Sequence, residues 1–185
     1  MEEVQKIVAM PTLEVHRTLN LLADAILEKN VDLSSLALVG IRTGGAFLAQ
    51  RLGEMIQIRT SVAVPVGILD ITLYRDDWTR ISHKPQVGKT ELDFSLDDID
   101  VVLVDDVLFT GRTVRAAMDA LTDFGRPRRI ELAVLVDRGG RELPICPDFV
   151  GRTLALVGGQ RVNVYLTEMG RTDEVVIETA PRNKG

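Results

Sequence analysis

The sequence predicts an α/β fold, a mostly parallel, doubly wound sheet with flanking helices, and three observations carry that expectation. First, SLALVGI at 35–41, VVLV at 101–104 and IELAVLV at 130–136 are uninterrupted apolar runs of strand length, as expected for strands buried on both faces. Second, the first two runs end in glycine-bearing loops that open helical segments, the alternation that generates parallel sheets. Third, hydrophobic residues make up 45% of the chain while aromatics make up only 4%, so the core has to be built from Val, Leu, Ile and Ala.

Taken in order, residues 12–29 (TLEVHRTLNLLADAILEK) place Leu13, Leu19, Leu22, Ala23 and Ile26 at helical spacing, with Thr12 and Glu14 at the start. The strand at 35–41 runs into RTGG and a second helix over 46–55. Residues 62–68 and 71–74 are further extended candidates. They lead into RDDWTRISHKPQVGKTELD, a polar stretch of 19 residues, long enough for a lid or binding loop; the lid is assigned to about 74–90. The strand at 101–104 is followed by Asp105, Asp106 and LFTGRT, then by a helix over 114–124 that Gly125 and Pro127 terminate. The strand at 130–136 ends at Asp137-Arg138-Gly139, and 180–185 reads as a frayed tail.

A chain of 185 residues with 26% charged residues is expected to form one domain, 1–185. No segment has the roughly 18 to 20 apolar residues of a membrane span, and residues 1–10 lack a basic-then-apolar leader, so a cytoplasmic protein is expected. The single cysteine, Cys146, has no partner for a disulfide or zinc site and reads as a semi-buried bystander. A net charge of −5 gives no global attraction for nucleic acid.

The chemistry concentrates in VVLVDDVLFTGRT, 101–113. A buried parallel strand delivers Asp105 and Asp106 to the carboxyl edge of the sheet, where ligands bind in open α/β folds. Adjacent acids there suit two hydroxyls of one sugar. The turn FTGRT then offers backbone N–H groups and the hydroxyls of Thr110 and Thr113 to an anion at a helix N-terminus, with Gly111 permitting a positive φ or close approach. Acids for vicinal hydroxyls followed by a phosphate loop describe a ribose 5-phosphate site. The alternative is a strand whose acids merely cap the next turn.

This string resembles the signature of the type I phosphoribosyltransferases for 5-phosphoribosyl-1-diphosphate (PRPP). Together with DITLYRDD, GRPRRIELAVLVDRG and RELPICPDFVG, in the family's order between about Val39 and Gly151, it is similar to the branch that pairs uracil phosphoribosyltransferase activity with pyrimidine-operon regulation. The resemblance implies a type I fold with a flexible lid and a small hood, and a reaction of uracil with PRPP giving UMP and pyrophosphate. It implies Mg²⁺ held mainly by PRPP, with no metal cage from the protein. Carried over by position, Asp105 and Asp106 are the catalytic pair holding the ribose hydroxyls. Val107, Leu108, Phe109, Thr110, Gly111, Arg112 and Thr113 bind the 5-phosphate, Thr43 and Gly44 with Arg42 bind pyrophosphate, and Arg138, Val162 and Lys84 make further substrate contacts.

Catalysis of this type works by positioning and electrostatics. His83 reads as a lid residue, His16 as a helix-surface residue, and Trp78 either stacks on a base or packs. The sequence departs from the family where Gly44 follows the threonine in place of an arginine, and at Gly140, where a histidine is common. The branch implies a homodimer or higher homo-oligomer and binding of a pyrimidine leader mRNA, for which Arg126, Arg128, Arg129, Arg141, Arg152 and Arg161 are the candidate basic residues. Two other readings stay open: an RNA-binding regulator whose nucleotide site only senses, and a phosphoribosyltransferase for another base.

Overall fold

The computed structural model describes residues 5–75 and 88–179. Five strands, β2 (Leu36–Ile41), β3 (Val66–Leu69), β4 (Asp100–Leu108), β5 (Arg129–Asp137) and β6 (Phe149–Thr153), form one sheet in the order β3-β2-β4-β5-β6 with every pairing parallel. Side-chain alternation divides the core between the two faces. Leu36, Leu38, Val102, Val104, Ala133 and Leu135 meet α1 (Thr12–Lys29) and α2 (Gly44–Thr60) on one side. Val39, Ile41, Val101, Leu103, Leu132 and Val134 meet α3 (Arg112–Thr122) on the other. This is the doubly wound arrangement that the apolar runs predict.

The first helix shows how the sequence commits to its place. Pro11 occupies the N-cap with extended geometry, Glu14 lies in the first turn and Lys29 in the last, each complementing the helix dipole. Val15, Leu19, Leu22 and Ile26 are buried, each stabilising the fold by about 1.5–3 kcal/mol through burial alone. Asn30 ends the helix by bonding the Ile26 carbonyl at 3.1 Å and the buried Glu131 at 2.8 Å, which ties α1 to β5.

A second sheet, β1 (Gln5–Met10), β8 (Glu174–Thr179) and β7 (Gln160–Tyr165), is antiparallel in the order β1-β8-β7 and forms the hood. Gln5 pairs with Thr179, so strands from opposite ends of the described chain are neighbours. Asp173 fastens the hood to the body. Its carboxylate accepts Arg51 Nη1 at 2.6 Å and Nη2 at 2.9 Å, the Thr167 N–H at 2.8 Å and His16 Nε2 at 3.1 Å, and its carbonyl accepts Thr12 Oγ1 at 2.8 Å. Hydrogen bonds from Arg51 lead the causes that hold the Asp173 carboxyl down at about 2.

Several boundaries differ from the sequence expectation. Only 66–69 of the 62–68 candidate is strand, and 71–74 contains a 3₁₀ turn, Thr72–Tyr74, because the Asp70 side chain accepts the Thr72 N–H and bends the chain there. Helices α2 and α3 each begin two residues early, at Gly44 and Arg112, and β4 continues through both acids to Leu108. Cys146 is exposed rather than semi-buried. His16 is more than a surface residue, since its ring bonds the hood aspartate. Trp78, His83, Lys84 and the 180–185 tail lie outside the described residues. Among those described, no helix is long and apolar enough to cross a membrane.

Candidate active site

At the carboxyl edge of the five-stranded sheet, β4 carries Asp105 and Asp106 to the start of a loop that becomes α3. Asp105 is 5% exposed and Asp106 half-buried. The pair is stapled locally, the Asp106 N–H donating to Asp105 Oδ1 at 2.9 Å and the Val107 N–H to Asp106 Oδ1 at 2.8 Å. No cation among the described residues forms an ion pair with either. Burial pushes the Asp105 carboxyl well above the usual carboxylate range, and the neighbouring Asp106 charge adds to the effect. Burial also raises Asp106, against the hydrogen bond from Val107.

Beyond the acids, the loop closes around a cavity of about 250 Å³ lined by Arg75, Asp105 and Val107 through Val114. Gly111 sits at the N-cap of α3 with φ +90°, a conformation that a side chain disfavours, and no side chain caps the helix there. The Arg112 N–H donates to the Thr110 hydroxyl at 3.3 Å, and the next N–H groups of α3, on Thr113 and Val114 of the cavity wall, are the ones an anion would meet. The loop is braced from behind. Glu142 and Leu143 donate their N–H groups to the Thr110 carbonyl at 3.0 and 3.1 Å, and Arg112 Nε bonds Glu142 at 2.6 Å.

A second cavity, of about 370 Å³, adjoins the first and shares Arg75 and Thr113 with it; Arg42, Thr43, Asp70, Ile71, Thr72 and Gly88 complete its wall. It lies at the start of α2, whose N-cap, Thr43, makes no side-chain capping bond. The Arg42–Thr43 peptide is cis. Gly44 approaches the acid pair so closely that an added Cβ would lie 2.3 Å from Asp106 Oδ2, so glycine here couples the α2 loop to the carboxylates. Arg42 reaches across to the Lys89 carbonyl at 2.9 Å and to Glu91 at 3.6 Å.

The structure thus brings together Arg42, Thr43, Gly44, Asp105, Asp106 and Val107 through Thr113. Arg138 lies alongside: its guanidinium covers the Phe109 ring at 3.7 Å, and its Nη2 bonds the Gln160 carbonyl of the hood at 3.3 Å. Gly140 lies against the edge of the same ring. Val162 stands apart on β7, half-buried against the same core cluster that Val107 packs against, and lines neither cavity. Lys84 is outside the described residues. Sequence reasoning passed over Asp70, Thr72 and Arg75. Their signal was present in DITLYR, but an aspartate between two apolar runs carries no spacing that marks a site.

The phosphoribosyl transferase domain family matches residues 12–157. Among curated proteins, a bifunctional protein PyrR from Syntrophobacter fumaroxidans is 56% identical over 94% of this chain and 93% of its own. One from Limosilactobacillus fermentum is 49% identical over 89% and 93%. In the solved structures, a hypoxanthine phosphoribosyl transferase of Trypanosoma cruzi aligns with a TM-score of 0.71 over 96% of this chain and 93% of that one, at 17% identity, a likeness of fold alone. Together the family match and the level of identity to the curated relatives establish that this chain belongs to the phosphoribosyl transferase domain family and, within it, to the bifunctional PyrR proteins.

Proposed function

We propose that the protein transfers the phosphoribosyl group of PRPP to uracil, giving UMP and pyrophosphate. The observation that carries this reading is the pair of joined cavities, each at a helix start without a side-chain N-cap, with the buried Asp105 and half-buried Asp106 reaching both: Asp105 lines the first, and Asp106 touches Gly44 beside the second. PRPP has the matching shape, a 5-phosphate and a 1-diphosphate on opposite sides of one ribose. The α3 loop holds the 5-phosphate, the α2 loop with Arg42 receives the diphosphate, and the acids accept the ribose 2- and 3-hydroxyls.

As the bond from C1 of the ribose to the diphosphate lengthens, positive charge grows on the ring. Asp105 and Asp106 then lie where negative potential is useful and solvent cannot screen it. With no cation among the described residues paired to them, the burial of Asp105 and partial burial of Asp106 are costly, and the ligand's hydroxyl donors and ring charge offset that cost. No protein nucleophile is needed; uracil is the attacking group, and the site contributes alignment. Arg138, fixed by Phe109 and the Gln160 carbonyl, and Val162 on the hood stand on the side from which the base arrives, and Lys84 completes the substrate contacts. Among the described residues no three His, Cys, Asp or Glu side chains converge, a donor set that suits Mg²⁺ entering with PRPP and taking most of its ligands from substrate oxygens and water. When bound, the ion neutralises the departing pyrophosphate.

The whole chain is read as one such unit, working as a homo-oligomer in the cytoplasm. A steady-state assay of pyrophosphate release with uracil or hypoxanthine tests the reading: uracil-dependent turnover is expected. Tight UMP binding without turnover would instead establish a sensor, and turnover only with hypoxanthine would move the protein among the purine enzymes.

Membership in a bifunctional family favours a second role, UMP-responsive binding of a pyrimidine leader mRNA. The candidate basic residues do not form one patch: Arg128 and Arg129 bond Asp100 at the amino end of β5, whereas Arg141 bonds Asp137 at its carboxyl end, about 25 Å away for a strand of that length, and Arg152 pairs with Glu14. Gel shifts with the leader RNA, with and without UMP, measure this role separately.

A further inference from the structure

The diphosphate cavity contains one group that a polyanion site should not contain. Asp70 lies on its wall, among Arg42, Arg75 and the hydroxyls of Thr43, Thr72 and Thr113. Its carboxylate is held in place by backbone, one oxygen accepting the Thr72 N–H at 2.7 Å and the other the Gly88 N–H. The two oxygens have about four acceptor positions between them; the Thr72 and Gly88 N–H groups and the Thr72 hydroxyl use three, which leaves one for a metal ion or its water. Burial works against its charge, but the bonds from Thr72 and Gly88 and the nearby Arg42 charge outweigh it, so the group is anionic when the diphosphate arrives. Two anions in one cavity repel at contact range unless a cation lies between them.

We propose that Asp70 is the protein's ligand, direct or through one water, for the Mg²⁺ that travels with the diphosphate. This deepens the PRPP reading and rests on it. Mg²⁺ commonly binds through one or two carboxylates plus substrate phosphate oxygens, and Asp70 supplies the single carboxylate on the diphosphate side. An ion there turns the repulsion between Asp70 and the diphosphate into an attraction, and it makes diphosphate affinity depend on metal. By thermodynamic reciprocity, the protein then holds the ion more tightly on bound pyrophosphate than free pyrophosphate does.

The test is calorimetric titration of pyrophosphate into the full chain, wild type and Asp70→Asn, once with Mg²⁺ and once in EDTA, with UMP binding as a check on the 5-phosphate site. With Mg²⁺ the variant is expected to bind pyrophosphate about tenfold more weakly or worse. In EDTA it binds as tightly as wild type or more tightly, because the repelling acid is gone. Asp70→Glu, which keeps the charge, retains the metal dependence. Equal weakening with and without Mg²⁺ would make Asp70 a purely structural residue and overturn the proposal, as would unchanged affinity in Mg²⁺. A wild-type measurement guards against a variant that does not fold: Mn²⁺ titrated by electron paramagnetic resonance should bind protein-held pyrophosphate more tightly than free pyrophosphate, and equal affinities sink the proposal. If wild type binds neither pyrophosphate nor UMP under either condition, the phosphoribosyltransferase reading itself fails and takes this inference with it.

Discussion

At the amino end of β4, Asp100 sits between Arg128 and Arg129, at 2.9 and 3.0 Å, whereas five residues along the same strand Asp105 is buried with no cation among the described residues beside it. The two carboxylates respond in opposite directions. The Arg128 hydrogen bond holds Asp100 below its ordinary value, and burial drives Asp105 above it. One strand therefore has an end where charge is satisfied by the protein and an end where no described cation meets it and where, on the proposed reading, it waits for a ligand. Unsatisfied charge at a concave sheet edge is a mark of function because it is retained against a folding cost.

The largest effect should come from removing that waiting charge. Asp105→Asn with Asp106→Asn is expected to lower PRPP-dependent turnover by about 10²- to 10³-fold, measured as pyrophosphate release, while circular dichroism stays unchanged. The same substitution sharpens the contrast in stability. Because Asp105 has a raised folded value, its stabilising contribution is fully present below its unfolded value and is lost as pH rises through the raised one. Asp105→Asn should gain on wild type in urea midpoint at high pH, and the gain should shrink as pH falls.

Next in size is the hood fastening. Arg51 and Asp173 are 14% and 3% exposed, and removing one member of a buried pair costs about 3–5 kcal/mol, so Arg51→Ala should lower Tm by roughly 10 °C. Its pH signature is opposite to that of Asp105. The lowered Asp173 contributes stability present above its unfolded value and lost as pH falls towards about 2, so wild type and Arg51→Ala converge in acid. A smaller effect, about 1–3 kcal/mol from overpacking, is expected for Gly44→Ala, accompanied by weaker pyrophosphate binding as the added Cβ displaces the Asp106 carboxylate. Smallest is Asp100→Asn. Its arginine partners are 55% and 45% exposed, so solvent screening holds the loss to about 0–1 kcal/mol, and turnover should not change. An activity loss there would break the division of the strand into two ends.

The parallel sheet was legible because its strands are buried on both faces and so appear as continuous apolar runs; Leu36–Ile41 is buried at every position. The hood was not. Gln5–Met10 is exposed at four of its six residues, and Gln160–Tyr165 has a single buried one, so neither offers a run or a clean alternation. That Asp105, Asp106 and 107–113 meet at one sheet edge could be read from VDDVLFTGRT because a strand turning into a helix is local geometry. Asp70 and Arg75 could not, since what makes them part of a site is the long-range approach of the α2 loop and Gly88. Boundaries moved where side chains intervened, as at Thr72, or where glycines let a helix start early, as at Gly44.

The pairing of Gln5 with Thr179 also sets an order of assembly during synthesis. A ribosome emits residues 36–153, the whole parallel sheet, well before β8 exists. The first strand must wait, unpaired, for a partner about 170 positions downstream, a closure whose entropic cost is met only once β8 has been made. The carboxyl edge of the parallel sheet can form early, while the hood is finished only when β8 joins it. On the proposed reading, nascent chains should therefore acquire full affinity for UMP only after β8 clears the exit tunnel.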